Sequence, residues 1–428
     1  MKGLMKIIGV ILGILGLSAK ATAKKKAKVK RAFRSDDAYR VEAKKGGKMK
    51  KKKSLPDMSG DGKVTKKDIL IAGNKIVAIA DNLDVYKNEA EVFNAEGKIV
   101  TPGLIDQHIH ITGAGGKDGF SSMTPEINLS ELIACGTTTV VGLLGTDGTI
   151  RNIKVLYAKA KSLESDGISA YMFCGYYGLD SVTITDSIQS DMIFIDNILG
   201  CKIAISDIRS SYPTALELVR KLRDVRVGGF IGNKKGILHV HLGNLDTKMD
   251  VLFELVNEYK FPIEHISPTH VGRTKELFDQ AMEFAKLGGI IDITTGASKY
   301  TDPYKSVLYA LENGVSIDNM TFSTDGNAGL TKFDDTGNAI GVRKAPIHKN
   351  LEEVVLLIKD GGVSISEAFK LITTNPARNL GLKHKGKIEV GYDADLCCFT
   401  ENLKLTDVFA KGQQMMHNGT IIVKGNFE

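Results

Sequence analysis

From Leu104 onward, short β-branched apolar runs alternate with longer segments whose apolar residues recur at helical spacing, a pattern that predicts successive parallel βα units. Eight units are legible, with predicted strands at Leu104–Ile111, Thr137–Leu144, Ile168–Cys174, Lys202–Asp207, Ile237–Gly243, His265–Val271, Ile290–Thr295 and Met320–Asp325. Helical stretches lie between them, among them Ala215–Val225, Val251–Tyr259 and Glu276–Lys286, the last stopped by Gly288 and Gly289. Further helices are expected at Leu351–Lys359 and Ile365–Ile372. Eight strands in about 280 residues match an α/β fold of the (β/α)8 TIM-barrel type. A doubly wound sheet is the competing arrangement. The barrel is preferred because polar residues fall near the C-terminal ends of many strands at once.

Outside this region the period changes to two. Asp68–Ala80 reads as a hairpin turning at Gly73-Asn74, and Gly391–Thr400 with Met416–Lys424 read as further strands. The two ends of the chain are therefore expected to meet in one small β-sandwich domain. The organisation predicted is a Lys-rich, disordered extension over 1–54, a small β-domain from 55–100 plus 385–428, and a barrel over 101–384.

Charge refines this division. The chain of 428 residues carries +7, but residues 1–53 hold 18 Lys and Arg against Asp36, Asp37 and Glu42, so +15 sits there and the remainder carries −8. An acidic body argues against a nucleic-acid groove in the folded part, while the basic tail is free to touch an anionic membrane surface. Ile7–Leu17 is an apolar run of 11 residues behind Lys2 and Lys6 that resembles an export signal, yet it is too short to span a bilayer and is followed by Lys24, Lys25 and Lys26. The five cysteines, Cys135, Cys174, Cys201, Cys397 and Cys398, are odd in number, contain no CxxC and lie mostly in apolar runs. They read as reduced core residues, so a cytoplasmic protein is expected, with export or membrane association through Ile7–Leu17 as the alternative.

The chemistry begins with Asp106-Gln107-His108-Ile109-His110, where a period of two points both imidazoles to one face. An HxH pair alone is weak evidence. Other strands add to it: Lys202 opens the fourth, His239 and His241 lie on the fifth, His270 ends the sixth and Asp325 ends the eighth. Burying so many ionisable groups without partners would cost several kcal/mol each, which a highly charged ligand would offset. Imidazole and carboxylate donors without thiolate suit Zn2+, and the number of donors exceeds one tetrahedral catalytic site, so two divalent ions are expected. An ammonium cannot coordinate a cation, but a buried lysine has a depressed pKa, and its free amine can add carbon dioxide to become a bridging carbamate. A Lys202 paired with Asp207 or Asp106 is the plainer alternative.

These residues resemble the amidohydrolase superfamily and, within it, the isoaspartyl (beta-aspartyl) dipeptidases. The resemblance runs from Asp68 to Glu428 and is carried by TPGLIDQHIH, VVGLLGTDG, CKIAISDIRS, PTHVGR and STDGN; the closing NPARNLGL and KGKIEVGYDADL are shared more widely. It implies metal ligation by His108, His110, carboxylated Lys202, His241, His270 and Asp325, with His239 supporting them or packing in the core. It also implies hydrolysis of the amide of a small isoaspartyl peptide by a hydroxide held between two ions. Asp325 would move the proton and Tyr177 would stabilise the oxyanion, while Arg209 and Arg273 would receive the substrate carboxylates and Gly115, Gly116 and Thr146 would line the pocket. A homo-oligomer is implied as well.

Two positions depart from the family. Where it has a glutamate for the substrate's α-amino group, this chain has Lys117 followed by Asp118, and where it has a substrate-contacting serine, this chain has Gly329. Two other readings stand beside the dipeptidase: a cyclic-amide hydrolase of the dihydroorotase or hydantoinase type, and a barrel serving as a non-catalytic scaffold.

Overall fold

The computed structural model describes residues 67–297 and 299–428, together with the backbone path of Ala38–Glu42. Eight parallel strands form one sheet: β1 (Leu104–Ile109), β2 (Thr137–Gly142), β3 (Ser169–Gly175), β4 (Ile198–Ile205), β5 (Ile237–Leu242), β6 (Ile266–Thr269), β7 (Ile291–Thr294) and β8 (Met320–Ser323). They stand in chain order, and the sheet closes where Ile109 bridges Gly326 and the His110 amide donates to the Gly326 carbonyl at 2.9 Å. This is the (β/α)8 barrel, with all eight predicted strands present. Apart from Tyr171 in β3, the strands are buried along their length, as expected of a parallel sheet covered by helices on one side and filled with side chains on the other. Ile105, Val141, Phe173, Leu199 and Ile237 fill the barrel floor against Ala377 and Leu380 of the helix Thr374–Leu380.

The helices form where the apolar stripe is helical and a polar residue caps it. Helix Ala215–Ile231 opens with a capping box in which Thr214 and Glu217 satisfy each other's backbone N–H groups. It runs past the predicted Val225 because Gly228 and Gly229 are buried and Gly228 packs against Gln189 and Met192, so close packing outweighs glycine's poor helical propensity.

The chain ends form a separate β-sandwich. One sheet orders Lys75–Ala80, Asp68–Ala72, Ala38–Glu42 and Glu91–Asn94; the other orders Thr420–Ile421, Gln413–His417, Leu405–Ala410, Leu396–Phe399 and Ile99–Pro102. Ile69, Ile71, Ile76, Phe93, Leu396, Cys398 and Phe409 fill the space between them. The hairpin turns at Gly73-Asn74 as predicted, Gly73 with a φ of 58°.

The expectation of a disordered 1–54 is corrected at Ala38–Glu42, a strand antiparallel to Asp68–Ala72 and parallel to Glu91–Asn94. Its AYRVE sequence has the right alternation but is flanked by dense positive charge, which masks it. The remainder of the extension, including Ile7–Leu17, lies outside the described residues. Among the described residues no helix is long and apolar enough to cross a membrane. All five cysteines are free and buried.

Candidate active site

The C-terminal ends of the strands converge on one cluster. His108 and His110 both reach Asp325, their Nε2 atoms 3.3 and 3.2 Å from its Oδ1. His108, His270 and Asp325 each present a ligand atom within 4.8 Å of the others. The rings of His241 and His270 lie 4.6 Å apart, and Lys202 Nζ stands 3.4 Å from His108 Nε2. The six residues assigned to metal thus come together from β1, β4, β5 and the segments after β1, β6 and β8.

Local backbone explains how they converge. Strict alternation along β1 would send Gln107 to the opposite face from His108, yet Gln107 also meets interior partners, Asp292 at 2.7 Å and Thr321 at 2.6 Å. The β1–β2 register slips between Asp106 and Ile109, a bulge that re-aims these side chains. β6 and β8 end at Thr269 and Ser323, short of the predicted ends. His270 and Asp325 follow in left-handed backbone, with φ of 65° and 50°, a conformation costly for non-glycine residues and concentrated at functional sites. Lys202 does not open β4, which begins at Ile198; it lies inside the strand, because the preceding residues are buried and continue the sheet.

Each imidazole has at least one nitrogen held by a neighbour, and His241 has both. His110 Nδ1 faces the Leu143 carbonyl at 3.2 Å, His270 Nδ1 the Thr294 hydroxyl at 2.6 Å, and His241 Nε2 the Asp207 carboxylate at 3.0 Å. Partners of this kind set which nitrogen keeps its lone pair. Desolvation holds the histidines below their usual range, His108 at about 3. Burial opposes ionisation of Asp325, but His270, His108 and His110 outweigh it and hold the carboxyl well below its ordinary value.

Lys202 is fully buried, and among the described residues no carboxylate lies within ion-pair distance of its ammonium. The pairing with Asp207 or Asp106 is therefore not formed: Asp207 is taken by His241 and Arg209, and Asp106 by Thr324. Burial, with Arg209 and Arg273 adding to it, brings Lys202 down to about 7 despite the opposing pull of Asp325.

Tyr177 donates its hydroxyl to His241 Nδ1 at 2.9 Å, and burial raises its pKa so that the phenol stays protonated. Tyr176 packs instead, its ring over Gly148 and Gly178, where a side chain would collide. Arg209 forks onto Asp207 at 2.8 and 2.6 Å and reaches Thr146 at 3.5 Å. Arg273, three residues beyond the left-handed His270 that follows β6, meets no carboxylate among the described residues, and its Nε is buried without a hydrogen-bond partner. Gly115 and Gly116 lie in the loop after β1 with φ of 107° and 82°. A Cβ on Gly329 would sit 2.9 Å from Gly115 Cα, and Lys117 donates to the Thr331 hydroxyl at 3.1 Å. Both departures from the family thus belong to one contact between this loop and the hairpin formed by Gly329–Phe333 and Ala339–Lys344.

Sequence reasoning missed two partners that orient the cluster, Asp207 behind His241 and Thr294 behind His270, while His239, read from the sequence as supporting the ligands or packing in the core, stands behind His108. Asp207 carried a signal, standing two residues before Arg209 just beyond β4. Thr294 carried none, since its role depends on the register between β6 and β7.

Residues 228–425 match the family model described as the amidohydrolase family. The beta-aspartyl dipeptidase of the thermophilic keratin degrader Fervidobacterium islandicum AW-1, solved in complex with beta-Asp-Leu dipeptide, is 38% identical with a TM-score of 0.80, over 90% of this chain and 98% of that one. A second structure of the enzyme from that organism gives 36% and 0.79 with the same coverage. Among curated proteins, the dihydroorotase of Clostridium botulinum (strain Eklund 17B / Type B) is 25% identical over 380 residues, 77% of this chain and 84% of that protein.

Proposed function

The chain belongs to the beta-aspartyl dipeptidases of the amidohydrolase superfamily, and from that membership we propose that it hydrolyses the amide bond of isoaspartyl dipeptides with the aid of two divalent ions. The donor set fits such ions. His108, His110 and His270 each have a nitrogen held by a neighbour away from the cluster, His241 is held at Nε2 by Asp207 with its Nδ1 shared with Tyr177, Asp325 is ionised, and Lys202 is a buried amine with no carboxylate in ion-pair reach among the described residues, suited to carboxylation. Zn2+ matches these donors best, held by His108, His110, carboxylated Lys202, His241, His270 and Asp325, and its Lewis acidity would make water a competent nucleophile at neutral pH.

The chain's own residues account for the remaining work. Asp325, ionised beside His108 and His110, accepts the proton of the attacking water and delivers it to the leaving amine. Tyr177 keeps its proton and donates a hydrogen bond to the carbonyl oxygen as negative charge develops there. Arg273 carries the substrate assignment: a guanidinium beside the cluster with a buried, unsatisfied donor gains most from an incoming carboxylate. Arg209, steadied by Asp207, supplies a second positive charge at the same rim. Recognition of the substrate's α-amino group differs from that in the family, because Lys117 is tethered to Thr331 and brings no negative charge; comparing β-Asp-Leu with its N-acetyl form tests this, and strong preference for the free amine, undiminished in Asp118→Ala, would refute it.

The zinc-loaded protein is expected to cleave β-Asp-Leu, to lose that activity on chelation and to regain it with zinc and bicarbonate. Asp325→Asn should lower kcat by about 10²–10⁴-fold. The dihydroorotase relatives favour a second reading, so dihydroorotate and a hydantoin belong in the same assay. Faster turnover of either cyclic amide would favour that reading, and zinc binding without any turnover would favour the scaffold.

A further inference from the structure

One buried polar chain takes no part in the chemistry above. Gln107, His239, Ser267, Asp292 and Asn379 are each no more than 2% exposed, and they join end to end beneath His108. The polarity of this chain follows from Asp292, whose carboxylate accepts from Thr269, Thr321 and Ser323. Gln107 Nε2 therefore donates to Asp292 Oδ1 at 2.7 Å, which turns Gln107 Oε1 toward Asn379 Nδ2 at 3.0 Å. Asn379 Nδ2 also donates to Ser267 Oγ at 2.9 Å, occupying one of that oxygen's two lone pairs. Ser267 Oγ meets His239 Nδ1 at 3.2 Å, and His239 Nε2 meets His108 Nδ1 at 2.8 Å.

Two neutral imidazoles in line share a single proton between the facing nitrogens, so only two arrangements exist. In one, His108 carries its proton on Nδ1 and gives it to His239 Nε2; His239 then carries its own on Nδ1 and gives it to the remaining lone pair of Ser267. His108 Nε2 is left as a lone pair facing Asp325. In the other, the two bonds of His239 reverse, with the Ser267 hydroxyl donating to His239 Nδ1, and His108 Nε2–H points at Asp325 Oδ1, 3.3 Å away, which closes that nitrogen to a cation. The His239 ring cannot swing out of line, because it is stacked on Phe173 with centroids 4.9 Å apart and planes 11° from parallel.

We propose that His239 is a positioning residue for the metal centre, fixing His108 in its Nδ1–H form with Ser267, held by Asn379, as the terminal acceptor. The inference rests on reading His108 as a ligand. Asn379 belongs to the helix that plugs the barrel floor, so the relay runs from that helix to the metal cluster.

The test is zinc affinity, measured by competition with a chromophoric chelator, with melting temperature as the check on folding. His239→Phe keeps a stacking ring but removes the acceptor, and is expected to weaken zinc binding about 10–100-fold. His239→Gln, whose Oε1 accepts in place of Nε2, should recover most of the loss, which a purely structural role would not produce. Wild-type affinity in a folded His239→Phe would overturn the proposal, as would a folded His239→Gln no better than His239→Phe. Should His239→Phe fail to fold, Ser267→Ala decides: weaker zinc binding supports the relay and unchanged binding refutes it. A wild-type protein that binds no zinc would sink the metal reading and this inference together, whereas normal wild-type binding with unaffected variants sinks this inference alone.

Discussion

At the scale of single residues, the site is governed by charges brought out of water without full compensation. Lys202 is held at about 7 chiefly by burial, while an unfolded chain would keep its ordinary lysine value near 10.4. Between those values the unfolded state binds one proton more than the native state, so Lys202 makes the metal-free, unmodified protein more stable as pH rises from 7 toward 10. Melting curves across that range should show the rise, and Lys202→Met should flatten it. Only the free amine could add carbon dioxide to form the carbamate proposed at Lys202, so activation of metal-depleted protein by bicarbonate and zinc should strengthen as pH increases through 7. At Arg273 the uncompensated group is a donor. Arg273→Met is expected to raise KM for β-Asp-Leu about tenfold to a hundredfold, the loss of a charged hydrogen-bonded pair worth ~1.5–3 kcal/mol, with a smaller change in kcat. An unchanged KM would remove Arg273 from the substrate site.

At the scale of elements, the sequence was most legible where one period persists. All eight barrel strands and the Gly73-Asn74 hairpin follow from apolar patterning; polar residues interrupting those runs mark seven candidates, His239 among them, and the family resemblance narrows them to six. What was illegible depends on neighbours. Leu405–Ala410 was not foreseen as a strand, although it is held between Leu396–Phe399 and Gln413–His417. The ends of β6 and β8 were overrun because the left-handed turns at His270 and Asp325 use residues with no intrinsic preference strong enough to announce them. Gly329 is a case where structure supplies the reason for a residue that looked merely anomalous. Its α-carbon backs onto Gly115, so Gly329→Ser is expected to destabilise the protein by about 1–3 kcal/mol in urea unfolding, through overpacking against main chain that has little room to retreat.

At the scale of the whole molecule, the two end segments of the chain are tied to each other by a largely buried ion cluster. Lys385 Nζ lies 2.8 Å from Asp393 and 2.6 Å from Asp395, and Asp393 also meets Lys75 at 2.5 Å. Burial alone would lower the Lys385 pKa, but Asp395 and Asp393 hold it above its ordinary value, while Lys385 and Lys75 hold Asp393 below its own against the effect of burial. The lysine's contribution is fully present below its unfolded pKa and fades as pH rises through the raised native one. The aspartate's is present above its unfolded pKa and fades as pH falls through the lowered native one. Lys385→Met should cost about 3–5 kcal/mol near neutrality by stranding the carboxylates, and the deficit should narrow in acid as Asp393 takes up a proton. A deficit independent of pH would assign the loss to packing.

The strand Ile99–Pro102 enters β1, which carries His108 and leads directly into His110, and its sheet partner is Leu396–Phe399 from the far end of the chain. Lys98 beside it pairs with Asp407 at 2.9 Å across 309 residues of sequence. During synthesis on the ribosome, β1 meets its barrel neighbour β2 early, but the strand that leads into it waits for Leu396–Phe399 to emerge before it has a partner. Closing so long a loop is slow, and the nascent chain carries unpaired strand edges in the meantime. Acquisition of metal should then be a late event in the life of each molecule, and a chain that stops short of Leu396 should leave the ribosome with its histidines translated but not yet gathered.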